Sequence, residues 1–180
     1  MVAVGILEIA YIVLQASKGE ASHFNVSTPL SLLSYSLMGI GAITMLSISG
    51  WLGVMILRHG ETGNAFVYVA GLSLIAGSVL GSLTGIFIST HQSHWVGSLH
   101  TDAGGLPLFG WSRTGGDLRV AHFFGMHIMQ AVPIATWLTS FVVPLHRRKA
   151  AGLALLCVAI LIAAATFVQA LTGHPLVTLG

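Results

Sequence analysis

The residues best able to do chemistry lie in one stretch, from Asp117 to Trp137, where polar side chains enter an otherwise apolar segment. In hydrocarbon an unpaired polar group costs several kcal/mol, so side chains of this kind serve as ligands, proton relays or interhelical hydrogen bonds. This stretch therefore locates the candidate site. Its polar members are Asp117, Arg119, His122, His127 and Gln130.

The helical spacing of the two histidines limits what they can bind together. At about 100° per residue, His122 lies on one face with Arg119, and His127 lies about 140° away on another face with Gln130. The two imidazoles therefore cannot hold one metal as an i, i+4 pair would. Each needs partners from other elements, and the donors available at a similar depth are His23, His91 and His94.

Three kinds of site fit this constellation. A b-type haem would take one histidine of this segment and His91 or His94 as ligands, with Arg113 or Arg119 near its propionates. A transition metal would take neutral imidazoles, and Met126 and Met129 would add soft ligands for Cu(I). The cofactor-binding candidates are therefore His122, His127, His94, His91, Arg119 and Gln130, and the candidate metal ligands are His122, His127, His94 and His23. The third kind is a proton relay, or a binding site for a polar substrate, in a transporter.

The same residues also have structural uses. Asp117 and Ser112 can cap a helix that begins near Leu118, Asp117 can pair with Arg119, and the histidines can bond between helices. In that case the chain is an accessory subunit of a membrane complex. No catalytic residue is assigned, and the sequence leaves open whether the protein is an enzyme.

Composition fixes the broad class. Hydrophobic residues make up 54% of the chain and charged residues 7%, and the mean hydropathy is +0.88, whereas soluble domains carry about 25% charged residues. This indicates an integral membrane protein in contact with the lipid bilayer. The net charge of +2 is small and scattered, so no nucleic-acid partner is predicted. A single cysteine, Cys157, excludes an intrachain disulfide and a thiolate cluster.

The predicted fold class is all-α, a single transmembrane domain over residues 1–180 with five membrane-spanning helices. The predicted spans are residues 2–17, 30–57, 65–89, 119–145 and 150–171, and residues 90–118 form a long outer loop that covers the site. Gly77, Gly81 and Gly85 form a stripe on the third span that admits a neighbouring helix or a flat cofactor. Pro133 is expected to kink the fourth span.

Basic residues predict the orientation. Arg147, Arg148 and Lys149 mark the cytoplasmic side and Arg58 falls on the same side, so the N-terminus is inside and the C-terminus outside. Seven of the nine histidines then lie on or near the outer side: His23, His91, His94, His100, His122, His127 and His174. This asymmetry is the basis for predicting a histidine-lined pocket near the outer face.

Four motifs carry a resemblance to a known family. They are SHFN at residues 22–25, HWVG at 94–97, GLPLFGWSRTGGDLRVAHFFGMHIMQ at 105–130 and QALTGHPL at 169–176. With these motifs the chain resembles an uncharacterised family of bacterial multi-pass membrane proteins. The resemblance implies a location in the bacterial inner (cytoplasmic) membrane, but no activity, and a membrane-complex partner or a homo-oligomer is compatible with it.

Overall fold

The computed structural model describes residues 2–25, 27–97 and 100–178, which are largely helical. The α-helices are α1 (Val2–Ser17), α2 (Pro29–His59), α3 (Ala65–His91), α4 (Leu118–Thr139) and α5 (Arg148–Leu171). A 3₁₀ turn (Leu145–Arg147) precedes α5. Two short antiparallel strands, β1 (Trp95–Val96) and β2 (Gly116–Asp117), pair within the connection from α3 to α4. The all-α prediction is confirmed, although the sequence did not predict the small sheet.

Within the described residues, three helical segments are long and apolar enough to cross a bilayer. They are α2, α3 and the segment Leu145–Leu171, with hydropathies of 1.9, 1.9 and 2.6. These segments are what an integral membrane protein in contact with lipid requires. Of the other two described helices, α1 is shorter and α4 carries the polar residues of the candidate site. The count of five spans and the orientation therefore remain predictions.

Capping side chains explain where α2 and α3 begin. The hydroxyl of Thr28 accepts a hydrogen bond from the Ser31 N–H at 3.1 Å, with Pro29 at the first helical position, where its missing N–H costs nothing. The side-chain oxygen of Asn64 accepts one from the Phe66 N–H at 2.9 Å. Each cap satisfies a backbone donor that the first turn of the helix leaves without a partner.

The fourth helix ends earlier than predicted, at Thr139 rather than at residue 145. The hydroxyls of Thr139 and Ser140 bond back to the carbonyls of Thr136 and Trp137 at 3.1 and 2.6 Å, in competition with the helical pattern. Pro144 follows and disfavours helical geometry at the residue before it. These local effects outweigh the apolar character of residues 141–145, on which the longer prediction depended.

The chain divides into two compact units, residues 1–48 and residues 49–180. In the second unit α3, α4 and α5 pack on one another around a core formed by Val69 of α3, Ile128 and Val132 of α4, and Leu156 of α5. All of the candidate site residues except His23 belong to this second unit. The three-helix core is thus the scaffold that positions them.

The glycine stripe of α3 is occupied by α4. A Cβ atom placed on Gly77 would lie 3.1 Å from the backbone nitrogen of Met129, and one placed on Gly85 would lie 3.1 Å from Cε1 of His122. Gly125 of α4 faces Leu80 of α3 in the same way, at 3.3 Å. Small residues on both helices therefore allow close backbone approach, which is the helix-packing use of such a stripe.

We expect Gly77→Leu to destabilise the second unit, because α4 must move away to make room for the new side chain. The expected loss is about 1–3 kcal/mol, typical of overpacking. Unfolding in detergent micelles measures it. The control is Gly39→Leu, a helical position with no atom within 4 Å of the added Cβ. Equal stability of the two variants would contradict the close packing of α3 and α4.

Candidate functional site

Arg119, in the first turn of α4, is the most connected polar side chain of the candidate site. Its Nη2 donates hydrogen bonds to Asp117 Oδ2 at 2.7 Å, to Asp102 Oδ1 at 2.7 Å and to the Gly110 carbonyl at 2.9 Å. Its Nε donates to Asp117 Oδ1 at 3.0 Å. One guanidinium thus joins two carboxylates and a backbone carbonyl from three parts of the chain. Charge-assisted bonds of this kind are stronger than neutral ones.

Asp117 is the buried partner in this ion pair, with a side chain only 1% exposed. Its carboxylate caps α4 by accepting the Arg119 N–H at 3.0 Å, and it also accepts the Ser112 N–H at 2.9 Å. A buried carboxylate is tolerable only when its oxygens are paired in this way. The predicted cap at Asp117 and the predicted pairing with Arg119 are both present.

His94 is the buried histidine of the outer loop. Its Nε2 lies 3.5 Å from Asp102 Oδ1, the same oxygen that Arg119 holds, and its ring lies 3.7 Å from the ring of Trp95. Its backbone carbonyl accepts the Leu118 N–H at 2.9 Å, which ties β1 to the start of α4. His94 is therefore part of the ionic network around Arg119.

Aromatic packing fastens the outer loop to α4 at a second place. Phe109 stacks on Trp111 with ring centroids 4.5 Å apart, and both rings meet Phe123 of α4 edge-on, at 5.6 and 5.4 Å. Edge-to-face pairs add about 0.5–1.5 kcal/mol beyond their buried area. Gly116 lets β2 lie directly against α5, because any side chain at this position would collide with the Ala170 carbonyl of α5.

His122 faces α3. Its Nδ1 lies 2.9 Å from the Thr84 hydroxyl, and its ring rests against Gly85. This is an interhelical hydrogen bond, one of the structural uses expected for this histidine. Sequence reasoning missed Thr84, because nothing in its local pattern marks it as a partner.

His127 does not bond to α3 but to its own helix. Its Nδ1 donates to the carbonyl of Phe123, one turn earlier, at 2.7 Å, and its ring lies 4.1 Å from the Phe123 ring. A carbonyl only accepts, so Nδ1 carries the hydrogen and Nε2 of the neutral ring keeps a lone pair. Gln130, near the same face of α4, is exposed.

The remaining predicted ligands lie at the surface. His91 is exposed at the end of α3, where its Nδ1 lies 3.1 Å from the Ser93 carbonyl. His23 is exposed in the first unit, with Nδ1 3.0 Å from the Ser22 hydroxyl. Over residues 2–25, 27–97 and 100–178, no group of three or more His, Cys, Asp or Glu side chains is placed to hold a metal ion. The haem and metal assignments therefore remain predictions.

Asp102 is the main site residue that sequence reasoning missed. Its carboxylate bridges Arg119 and His94, and its side chain is about half exposed. A signal existed: Asp102 is the only acidic residue from Thr90 to Gly116, so it was the obvious loop partner for a basic group on α4.

The ionic network shifts two pKa values in the outer loop. Burial, followed by the positive charge of Arg119, lowers the pKa of His94 below its ordinary value, although Asp117 and Asp102 oppose this. Partial burial disfavours the charged form of Asp102, but the hydrogen bond and charge of Arg119, with a contribution from His94, bring its pKa below the ordinary value. Neutral His94 and ionised Asp102 are thus the states that the fold favours.

We expect Arg119→Gln to cost about 3 kcal/mol of unfolding free energy, because it leaves the buried Asp117 carboxylate without its counter-charge. Adding Asp117→Asn to that variant should restore part of the loss. Asp102→Asn should cost less than about 1 kcal/mol, because this carboxylate is half exposed. Denaturation in detergent measures all four proteins. Equal losses in the Arg119 and Asp102 variants would contradict the assignment of Asp117 as the critical partner.

We also expect acid to loosen the outer loop. The folded-state pKa of His94 is below its unfolded value near 6.5, so its stabilising effect is complete above that pH and decreases as the pH falls toward the folded pKa. Asp102 adds a further loss in more acidic solution, as the pH falls through its lowered pKa. The thermal unfolding midpoint should therefore fall below pH 6.5, and less steeply in His94→Asn. A midpoint that rises on acidification would overturn this sign.

Comparisons with known proteins identify no relative of this chain. No protein-family model, no curated protein and no solved structure matches the chain. The resemblance of its motifs to an uncharacterised bacterial membrane family therefore stays a prediction, and its function has to be argued from its own residues.

Proposed function

We propose that this protein is a subunit of a larger complex in a bacterial cytoplasmic membrane, with five spans, the N-terminus inside and the C-terminus outside. One observation carries the proposal: most polar groups of the residue 117–130 stretch bond to other elements of the same unit, whereas His127 bonds only to the Phe123 carbonyl of its own helix and Gln130 is exposed. The partnered groups build the protein, and the outward ones are left to bind something else.

The inward polar groups have structural work that accounts for them. Asp117 caps α4 and pairs with Arg119, Arg119 holds the outer loop through Asp102, and His122 bonds to α3. A transport path or a relay needs groups that exchange partners, and each of these groups already has a fixed one. The transporter alternative accordingly gains no support from them.

The outward face of α4 is the part that needs a partner. His127 and Gln130 lie near one side of the helix with Ile134 and Leu138, which are 56% and 53% exposed. His127 lies roughly 14 Å along the helix from Leu118, which is within the hydrocarbon layer of a spanning α4. A half-buried imidazole and an exposed amide at that depth cost free energy that a polar group of a partner helix would recover.

The second candidate is a cofactor at the same place, a b-type haem or a transition metal held by His127. The observation that favours it is the Nδ1 hydrogen bond to the Phe123 carbonyl, because metal-binding histidines usually donate their other ring N–H to such an acceptor. Nε2 is then free as the ligand atom. A haem bound there would supply electron transfer, while the chain's own residues fix the tautomer and the ring orientation.

Site-specific photo-crosslinking separates the two candidates. We expect a photoreactive amino acid in place of Gln130 to form an adduct with a second polypeptide in native membranes. The same group in place of Leu161 of α5, which is 66% exposed, should react only with lipid. The substitution His127→Leu should weaken the adduct formed by the probe at position 130, because the polar pairing of His127 with the second polypeptide is lost.

The purified protein's absorption spectrum provides the other readout. A Soret band that disappears in His127→Ala, but persists in the control His146→Ala, in the 3₁₀ turn that precedes α5, would establish the cofactor instead of the partner helix. Reaction of the Gln130 probe with lipid alone, in colourless and metal-free protein, would contradict both candidates.

A further inference from the structure

The outer loop carries an apolar turn whose exposure calls for an explanation. Leu108, at the tip of the turn 107–110, is 95% exposed, and Phe109 beside it is 44% exposed. Leu108 also has φ +74°, in the left-handed region, which is strained for a residue other than glycine. A leucine held in this conformation and facing solvent gains nothing from the rest of the protein.

The turn is nevertheless held firmly in place. The Leu106 N–H donates to the Trp111 carbonyl at 2.8 Å, and the Gly110 N–H donates to the Leu106 carbonyl at 2.8 Å. The Gly110 carbonyl accepts Arg119 Nη2 at 2.9 Å. With Phe109 stacked on Trp111, these contacts fix the direction in which Leu108 projects.

The position of the turn indicates what it meets. The outer loop runs from the end of α3 at His91 to the start of α4 at Leu118, so it lies where these two helices reach the membrane boundary. Residues 106–111 carry no charge, and the nearest charged residues along the sequence are Asp102 and Arg113. Arg119 contacts the turn only at the Gly110 carbonyl, where it is paired with Asp102 and Asp117. Insertion of Leu108 and Phe109 would therefore bring no charged side chain of the turn itself into lipid.

The backbone of the turn is also suited to shallow insertion. Pro107 has no N–H, and the Gly110 N–H is bonded to the Leu106 carbonyl. The N–H groups of Leu108 and Phe109 then need acceptors, which headgroups and water supply at the membrane boundary. Burying the exposed Leu108 side chain in hydrocarbon is favourable, and the fold already holds its left-handed backbone in place, so insertion adds no new strain. Aromatic residues such as Phe109 and Trp111 favour the same depth, near the headgroups.

We propose that the turn 107–110 inserts Leu108 and Phe109 into the acyl boundary of the adjacent leaflet and anchors the outer loop to the lipid surface. This rests on the proposed membrane placement of α3 and α4. The anchor would keep the loop over the N-terminal end of α4, where Arg119 holds it from the protein side.

The test uses an environment-sensitive fluorophore on single cysteines, in Cys157→Ala protein reconstituted into phosphatidylcholine vesicles. The label at Leu108→Cys should emit at shorter wavelength and be quenched by lipids that carry a nitroxide near the headgroup. The label at Ala103→Cys, an exposed position of the same loop, should be quenched by aqueous iodide instead. Iodide quenching at residue 108 equal to that at residue 103 would overturn the anchor.

Two further measurements distinguish insertion of the turn from a failure of the membrane placement and from a contact with a second copy of the chain. A label at Leu161→Cys, in the middle of α5, reports whether α5 lies in lipid, and lipids that carry a nitroxide deep on the acyl chain should quench it. If it escapes that quenching, the membrane placement fails. If it is quenched but the residue 108 label escapes the headgroup nitroxide, the anchor alone fails. Diluting the protein with excess lipid should leave the residue 108 signal unchanged. Loss of that signal on dilution would assign the turn to a contact with a second copy and overturn the proposal.

Because an attached dye could insert by itself, hydrogen exchange of unlabelled protein in bilayers gives an independent test. The amides of Leu108 and Phe109 should exchange severalfold more slowly in vesicles than in detergent. Leu108→Asp should remove this difference without changing the thermal unfolding midpoint in detergent. Equal exchange of the wild-type amides in both environments would count against insertion.

Discussion

The structure depends on one electrostatic constraint: a carboxylate, Asp117, is buried at the start of a helix and has to be neutralised there. Arg119, two residues later, supplies the positive charge, and the guanidinium has donors left over for Asp102 and the Gly110 carbonyl. The pair therefore does more than cap α4. It turns the beginning of the helix into an attachment point of a long loop.

This attachment organises the rest of the second unit. The backbone of His94, just before β1, bonds to the first residue of α4, aromatic rings of the loop pack on Phe123, and β2 lies against the end of α5 through Gly116. Deeper in the bundle, glycines let α3 and α4 approach until His122 reaches Thr84. Polar residues thus join α4 to the outer loop near its first turn and to α3 deeper in the bundle. The face of α4 that carries His127 and Gln130 remains available to a partner.

Much of the fold could be predicted from the sequence, for physical reasons. Composition and apolar run lengths predicted the helices, and Asp117 before an apolar run predicted both the cap and the start of α4. The sequence did not predict the early end of α4. Threonine and serine are only weak signals for a helix end, but in the structure the hydroxyls of Thr139 and Ser140 bond to backbone carbonyls of the last turn. The bond between His122 and Thr84 could not be predicted, since it depends on the relative rotation and depth of two helices, which no local pattern encodes. The identity of a ligand at His127 is likewise not encoded by its own helix.

The most direct test of the account is native-state hydrogen exchange of the amides that depend on Arg119: Leu118 N–H, Ser112 N–H and Gly110 N–H. If one guanidinium fastens the outer loop to α4, these amides should be protected in the wild type and should all lose protection together in Arg119→Gln, while the amides in the centre of α3 keep theirs. Independent exchange of the three amides, or protection that survives the loss of Arg119, would show that the loop is held by something else and would contradict the central claim.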